Sequence, residues 1–296
     1  MRQKRIAVII VTVVLILGLL YNMTSNVNSE SNNYGLSNPI VSEENTIWDC
    51  IYFGNYLQED TNNDGIVNEK DEKQPIKWRV LSIDNHSAML FSDKLLDFKQ
   101  YEESDNCYGT NASGNAMKEV TWENSTIREW LNNDFYNKAF SKQEQKFIEP
   151  ISMTSEDGGF YLNKVWLLSS DQFNYNKYGL SSIVNNSDSI IAETTHYSEQ
   201  LFVNCSEEQM NFFNNKIPNA WFIRDVIQLE APINLCPPEL NCDMFKAYEA
   251  KCIGQTYVPV NYYMYIRPCI EIDLLSSTWT KADKVDSYNK IIKSSP

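Results

Sequence analysis

The first twenty residues constrain this chain most. Met1 to Arg5 carry three positive charges, and Ile6 to Leu20 form an unbroken run with only Thr12 and Gly18 among aliphatic side chains. A segment that is apolar all round has no polar stripe to show to water, and a basic flank before it is the pattern of an export segment. The 15 residues of the run are long for a signal-peptide core and short of the roughly 20 needed to span a bilayer. No Ala-x-Ala follows; the nearest small pair, Val27 and Ser29, lies well beyond the run, which favours a retained anchor over cleavage. Residues 1–29 therefore read as a signal peptide or membrane anchor. The charge asymmetry puts the N-terminus in the cytoplasm. The expected location is the cell membrane, single-pass with an extracellular C-terminal domain, or secretion.

What folds must do so after that segment. The chain has 296 residues, 43% hydrophobic and 12% aromatic, enough for one large core or two small ones. Its 25 basic against 39 acidic residues give a net charge of -14, which repels a phosphate backbone and excludes nucleic acid as a natural partner. Residues 30–46 are rich in Ser, Asn and Glu and read as a flexible linker. From residue 47 to 275 strand patterns mix with a few short helices, without a βαβ rhythm, so the expected class is one α+β domain. Pro75–Asp84 and Ser87–Ser92 predict a hairpin turning at Asp84-Asn85-His86. Ile127, Trp130, Leu131, Asp134 and Phe135 predict a helix burying Trp130, with Asn124, Ser125 and Thr126 as cap candidates and Thr126–Glu129 as a capping box, and Ser141–Glu144 predicts another box. Val165–Leu168, Ala220–Arg224 and Tyr262–Leu274 read as strands, and residues 276–296 as a polar, loosely held tail.

The sharpest motif runs from Asp60 to Asp71. A twelve-residue calcium loop needs side-chain oxygens at positions 1, 3, 5 and 9, a carbonyl at 7, glycine at 6 and a carboxylate at 12. Asp60, Asn62, Asp64, Gly65, the Ile66 carbonyl, Asn68 and Asp71 fill those positions in order. One Ca²⁺ ion is therefore expected, held by Asp60, Asn62, Asp64, Ile66, Asn68 and Asp71. Aspartate at position 12 departs from the usual glutamate and resembles dockerin modules, which carry two such loops where this chain has one.

Seven cysteines at 50, 107, 205, 236, 242, 252 and 269 permit disulfides in an exported chain but leave at least one unpaired. Their spacings and the two histidines, His86 and His196, do not make a structural zinc site. Neither histidine sits in a nucleophile or metalloprotease motif, so no catalytic residue is assigned. Arg224 and Arg267 each lie within an apolar stretch, where a guanidinium needs several acceptors.

Ile51-Tyr-Phe-Gly-Asn-Tyr56, Ile76-Lys-Trp-Arg-Val-Leu81, Val120 to Asn132, Val165-Trp-Leu-Leu-Ser169, Trp221-Phe-Ile-Arg224 and Ile266-Arg-Pro-Cys-Ile270 resemble, in that order, the blocks of a domain family of unknown function found in exported clostridial proteins. The sequence departs from its W-W-L-R-S block at Phe222, Ile223 and Asp225. The last two blocks are similar to the ending of C-type-lectin-like domains of the formylglycine-generating-enzyme type. That resemblance implies a C-type-lectin-like mixed fold over 47–275 with the calcium loop 60–71 inserted. The expected function is a non-enzymatic, calcium-stabilised module binding a glycan or protein ligand through Tyr- and Asn-rich stretches such as Phe173–Tyr178. The alternatives are an extracellular thiol-dependent enzyme of the formylglycine-generating type and a structural cell-envelope protein.

Overall fold

A computed structural model describes residues 34–43, 45–103, 119–155, 157–180, 192–203, 220–231, 245–252 and 256–293. The chain divides into two compact units, Met1–Leu36 and Ser37–Pro296. The first is described only at residues 34–36, so the segment 1–29, expected to direct export, lies outside the described residues. Among the described residues no helix is long and apolar enough to cross a membrane.

The second unit is mainly antiparallel sheet. Its strands are β1 (Ile40–Val41), β2 (Thr46–Tyr56), β3 (Gln74–Asp84), β4 (Ser87–Ser92), β5 (Asp97–Gln100), β6 (Ile151–Thr154), β7 (Phe160–Asn163), β8 (Phe222–Ala231), β9 (Phe245–Cys252), β10 (Thr256–Pro259), β11 (Tyr263–Ile266), β12 (Cys269–Asp273), β13 (Thr280–Asp286) and β14 (Ile291–Ile292). The main sheet has seven strands in the order β12-β4-β3-β2-β13-β14, with β1 also on β2. A three-stranded sheet β10-β9-β8 and the pairs β11-β5 and β6-β7 complete the described strands.

The β3–β4 hairpin forms where the sequence predicts it, with Ser87 opposite Asp84. Asn85 turns at φ 52°, a left-handed conformation that asparagine tolerates well. Alternation along β3 sends Ile76, Trp78 and Val80 into the core, all fully buried. Removing a Trp78-sized apolar surface from water stabilises the fold by about 3 kcal/mol. Its indole N–H donates to the Phe53 carbonyl at 2.7 Å, so the polar edge is satisfied inside.

Several sequence expectations change. The expected polar tail 276–296 instead supplies β13, which pairs with β2 from Tyr52 to Ile47; the charged Lys281 and Asp283 face outward while Ala282 and Val285 are buried. The expected linker 30–46 ends early, because Ile40 and Val41 already pair with Ile47 and Thr46. Tyr262–Leu274 is two strands, broken at Arg267-Pro268, since proline has no N–H for the ladder and Arg267 donates to the Ser92 carbonyl at 2.8 Å and the Asp93 carbonyl at 3.2 Å. Val165–Leu168 is buried but makes only a bridge, Trp166 to Cys269.

The expected helix is present as three short segments, the middle one a π-helix: α-helix Thr126–Trp130, π-helix Leu131–Phe135 and α-helix Tyr136–Ala139. Its cap is Ser125, whose hydroxyl accepts from the Arg128 N–H, one residue before the predicted box. Ile127, Leu131 and Phe135 are buried, whereas Trp130 is half-buried under the Lys99 ammonium at 5.2 Å. Ser141 and Glu144 do reciprocate as a box, at 2.7 and 3.3 Å, ahead of a single 3₁₀ turn, Glu144–Lys146.

Candidate functional site

The Asp60–Asp71 loop folds around its own amides. The Asp64 N–H donates to Asp60 Oδ1 at 3.2 Å and Asn62 Oδ1 at 2.8 Å, the Gly65 N–H to Asp60 Oδ2 at 2.8 Å, and the Ile66 N–H to Asp64 Oδ1 at 3.0 Å. Gly65 has φ +87° with open space around it, so conformation and not crowding requires glycine there. Asp71 is buried. Its Oδ1 accepts from the Thr61 N–H (2.8 Å), the Thr61 hydroxyl (3.1 Å) and the Asn62 N–H (3.2 Å), and its Oδ2 from the Asn68 N–H (2.8 Å). The Asn68 amide donates to the Ile66 carbonyl at 3.1 Å. These donors, with the Asn68 bond the largest contribution, hold the Asp71 carboxyl below the usual range. A side chain from outside the loop clamps its backbone. Gln200, on the helix His196–Val203, accepts from the Val67 N–H at 2.8 Å and donates to its carbonyl at 3.2 Å.

A carboxylate or amide oxygen has two lone pairs. Asp60 keeps one on each oxygen, Asn62 one, Asp64 three and Asp71 one, on Oδ2, after these bonds. The donor chemistry therefore suits a hard cation, although among the described residues no three His, Cys, Asp or Glu side chains are drawn together as a metal group.

An open groove of about 820 Å³ lies between the β1 segment, the end of β3 and the turn 175–178. It exists because β1 and β3 both pair with β2 on different stretches. β3 leaves β2 after the Cys50–Arg79 pair, and its last residues, Leu81 to Asp84, face the Asn38–Val41 segment. One hydrogen bond spans this boundary, from the Ile83 N–H to Asn38 Oδ1 at 2.8 Å.

Two tyrosines form the far wall. Tyr175 and Tyr178 stand edge to face with centroids 5.0 Å apart, and Tyr175 is 46% exposed. The turn carrying them is fixed on β2: the Trp48 indole N–H donates to the Tyr178 carbonyl at 2.8 Å and the Thr46 hydroxyl to the Gly179 carbonyl at 3.1 Å. Gly179 has φ +71°, and a β-carbon there would fall on the Thr46 side chain. Desolvation pushes the Tyr178 hydroxyl up despite the Ser82 side chain beside it. Asn38, Asp84, Asn176 and Lys177 supply hydrogen-bonding groups on the rim.

Other sequence candidates fall elsewhere. Cys50 and Cys269 are unpaired and wholly buried; desolvation pushes Cys50 up to about 12 and Cys269 higher still, so neither is the accessible thiol a cysteine oxidase needs. Cys107, Cys205, Cys236 and Cys242 lie outside the described residues. His86 pairs with Asp273 at 3.0 Å and His196 with Glu59 at 2.8 Å, both on the surface. Arg267 organises backbone carbonyls and stacks on Phe91 and Trp221, as an apolar setting demands. Arg224 is half-buried with its guanidinium against the Met153 sulfur.

Residues 85–226, just under half of the chain, match the family described as a domain of unknown function (DUF6273). This fits an uncharacterised domain family. The blocks at 120–132, 165–169 and 221–224 lie within the matched stretch, and those at 51–56, 76–81 and 266–270 outside it. The sheet crosses that boundary too, since β4 is matched and its neighbours β3 and β12 are not. Neither the curated proteins nor the solved structures offer a match.

Proposed function

We propose that this chain is an exported, calcium-stabilised binding module, held at the cell surface or secreted, whose open groove takes a carbohydrate. The observation that carries the reading is the groove itself. Two aromatic rings fixed at right angles give apolar faces for sugar C–H groups, and amide, carboxylate and ammonium groups around them suit hydroxyls. Its volume of about 820 Å³ suits a short saccharide segment and is ordinary for a ligand cleft. The C-type-lectin-like reading of the fold belongs to the same proposal, supported by a largely antiparallel architecture with short helices and by the terminal sequence blocks.

Calcium would be held by Asp60, Asn62, Asp64, the Ile66 carbonyl, Asn68 and Asp71, and would supply positive charge that lets the carboxylates approach one another. Because the carboxylates are not gathered, binding requires them to rearrange from their amide partners and should be weak, with a Kd of about 10⁻⁴ to 10⁻³ M, as in extracellular modules. Gln200 would pass that order to the helix His196–Val203. The full chain, purified in mild detergent and applied to a glycan array with millimolar calcium, should bind a restricted set of saccharides. Uniform failure to bind any glycan, with and without calcium, would remove the carbohydrate reading.

A further inference from the structure

A second cleft lies away from the groove, on the face of β2 and β3 that carries Tyr52, Lys77 and Arg79. It has two adjoining lobes, of about 260 and 210 Å³, that share Tyr52, Lys77, Asp93 and Lys94. In a chain of net charge -14 the larger lobe gathers Lys77, Arg79 and Lys94 against Asp93 and Glu193.

The groups at its floor are unequally satisfied. Arg79 is engaged: its Nε donates to Asp93 Oδ1 at 2.6 Å, its Nη2 to Asn289 Oδ1 at 2.6 Å, and its plane lies over Trp48. Desolvation would raise the Asp93 carboxyl, but Arg79 and Lys77 outweigh it and hold Asp93 below the usual range, so it stays a carboxylate. Lys77 is different. Its side chain is only 16% exposed, yet its ammonium meets the Asp93 carboxylate only at 3.7 Å, an ion pair beyond hydrogen-bond length. Lys94 likewise meets Glu59 and Glu193 only at 3.9 Å each. Two ammonium groups, one largely withdrawn from water, thus face one cleft without a hydrogen-bonded anion, and each has three donors to place.

We propose that this cleft is a binding site for a small monocarboxylate, whose carboxylate bridges the Lys77 and Lys94 ammonium groups while its apolar body lies against Tyr52. The larger lobe holds three cations against two anions, and Glu59 and Glu193 beside Lys94 repel a dianion such as phosphate more strongly than a monoanion. Val285 and Ile291 give the lobe an apolar side, which favours an aromatic or aliphatic acid over acetate. The proposal does not depend on the saccharide groove.

The test is calorimetric titration of the full chain in detergent at low ionic strength, where charge contacts are least screened, using sodium benzoate, benzamide and inorganic phosphate. Benzoate should bind and benzamide, the same shape without the charge, should not. Lys77→Met should weaken benzoate about tenfold, the loss expected for one charge-assisted hydrogen bond. Lys94→Met, at a more exposed position, should weaken it several-fold and keeps the test open if the Lys77 variant does not fold, while Lys142→Met should leave binding unchanged. Equal binding of benzamide, tighter binding of phosphate, or a Lys94 variant that binds benzoate as the wild type does would overturn the proposal.

Discussion

Asp93 shows how one side chain links the core to the surface. It closes β4 onto β3 through its N–H to the Lys77 carbonyl at 2.9 Å and holds Arg79 by its carboxylate. Asp93→Asn leaves a buried guanidinium without its counter-charge and should cost about 3 kcal/mol at pH 7, as breaking a buried pair does. The sign with pH follows from the depressed folded value. The stabilisation is present in full above the unfolded aspartate value of about 3.9 and is lost as pH falls through the lower folded one. Urea unfolding of wild type and variant should therefore diverge at neutral pH and converge in acid. At the calcium loop, Asp60→Ala should abolish any calcium-dependent rise in melting temperature, whereas Glu69→Ala, whose carboxylate meets Lys138 at 3.9 Å on the surface, should change it little. A calcium response in the Asp60 variant equal to the wild type would remove the ion from this loop. Residue types and spacing made the loop's turn and the need of Arg267 for several acceptors legible; that the acceptors are the Ser92 and Asp93 carbonyls was not. The partner Gln200 was not legible, because nothing local in the chain links position 200 to position 67.

Elements were read best where a single strong period governs them. The β3–β4 hairpin combines alternation with turn chemistry, and both point one way. β13 was missed because its sequence, Thr280-Lys-Ala-Asp-Lys-Val-Asp286, carries mostly polar side chains and breaks its alternation at a bulge between Ala282 and Val285. An edge-like polar strand looks like a tail until its partner is seen. Deleting residues 276–296 should accordingly expose β2 and cost the cooperative transition; a truncated chain melting as sharply as the full one would contradict the sheet order. The same holds for the turn 175–179. Gly179→Ala places a methyl on Thr46 in a backbone conformation that L-residues avoid, and should destabilise the protein by about 1–3 kcal/mol, read as a lower denaturation midpoint.

The whole molecule joins segments that sequence keeps far apart. The groove draws on residues 38–41, 81–84 and 175–178, so its tyrosines stood out as stacking candidates while its shape could not be read from any one of them. The DUF6273 match covers 85–226, yet the strands flanking β4 come from either side, so the folding unit is larger than the matched stretch. The proposed function turns on Tyr175 and Tyr178 as a saccharide-binding wall. It is tested most directly by titrating the full chain with the best saccharide from the array, in parallel with Tyr175→Ala, in millimolar calcium. Tyr175 is 46% exposed, and its backbone bonds, to the Gln172 carbonyl at 3.2 Å and from the Tyr178 N–H at 2.9 Å, survive truncation to alanine, so its loss should leave the melting temperature within about 2 °C, since surface changes fall within about ±0.5 kcal/mol. Affinity should fall at least about tenfold, the loss of one aromatic stacking contact in a ligand cleft; an unchanged Kd in a folded Tyr175 variant would remove the tyrosine wall as the binding site.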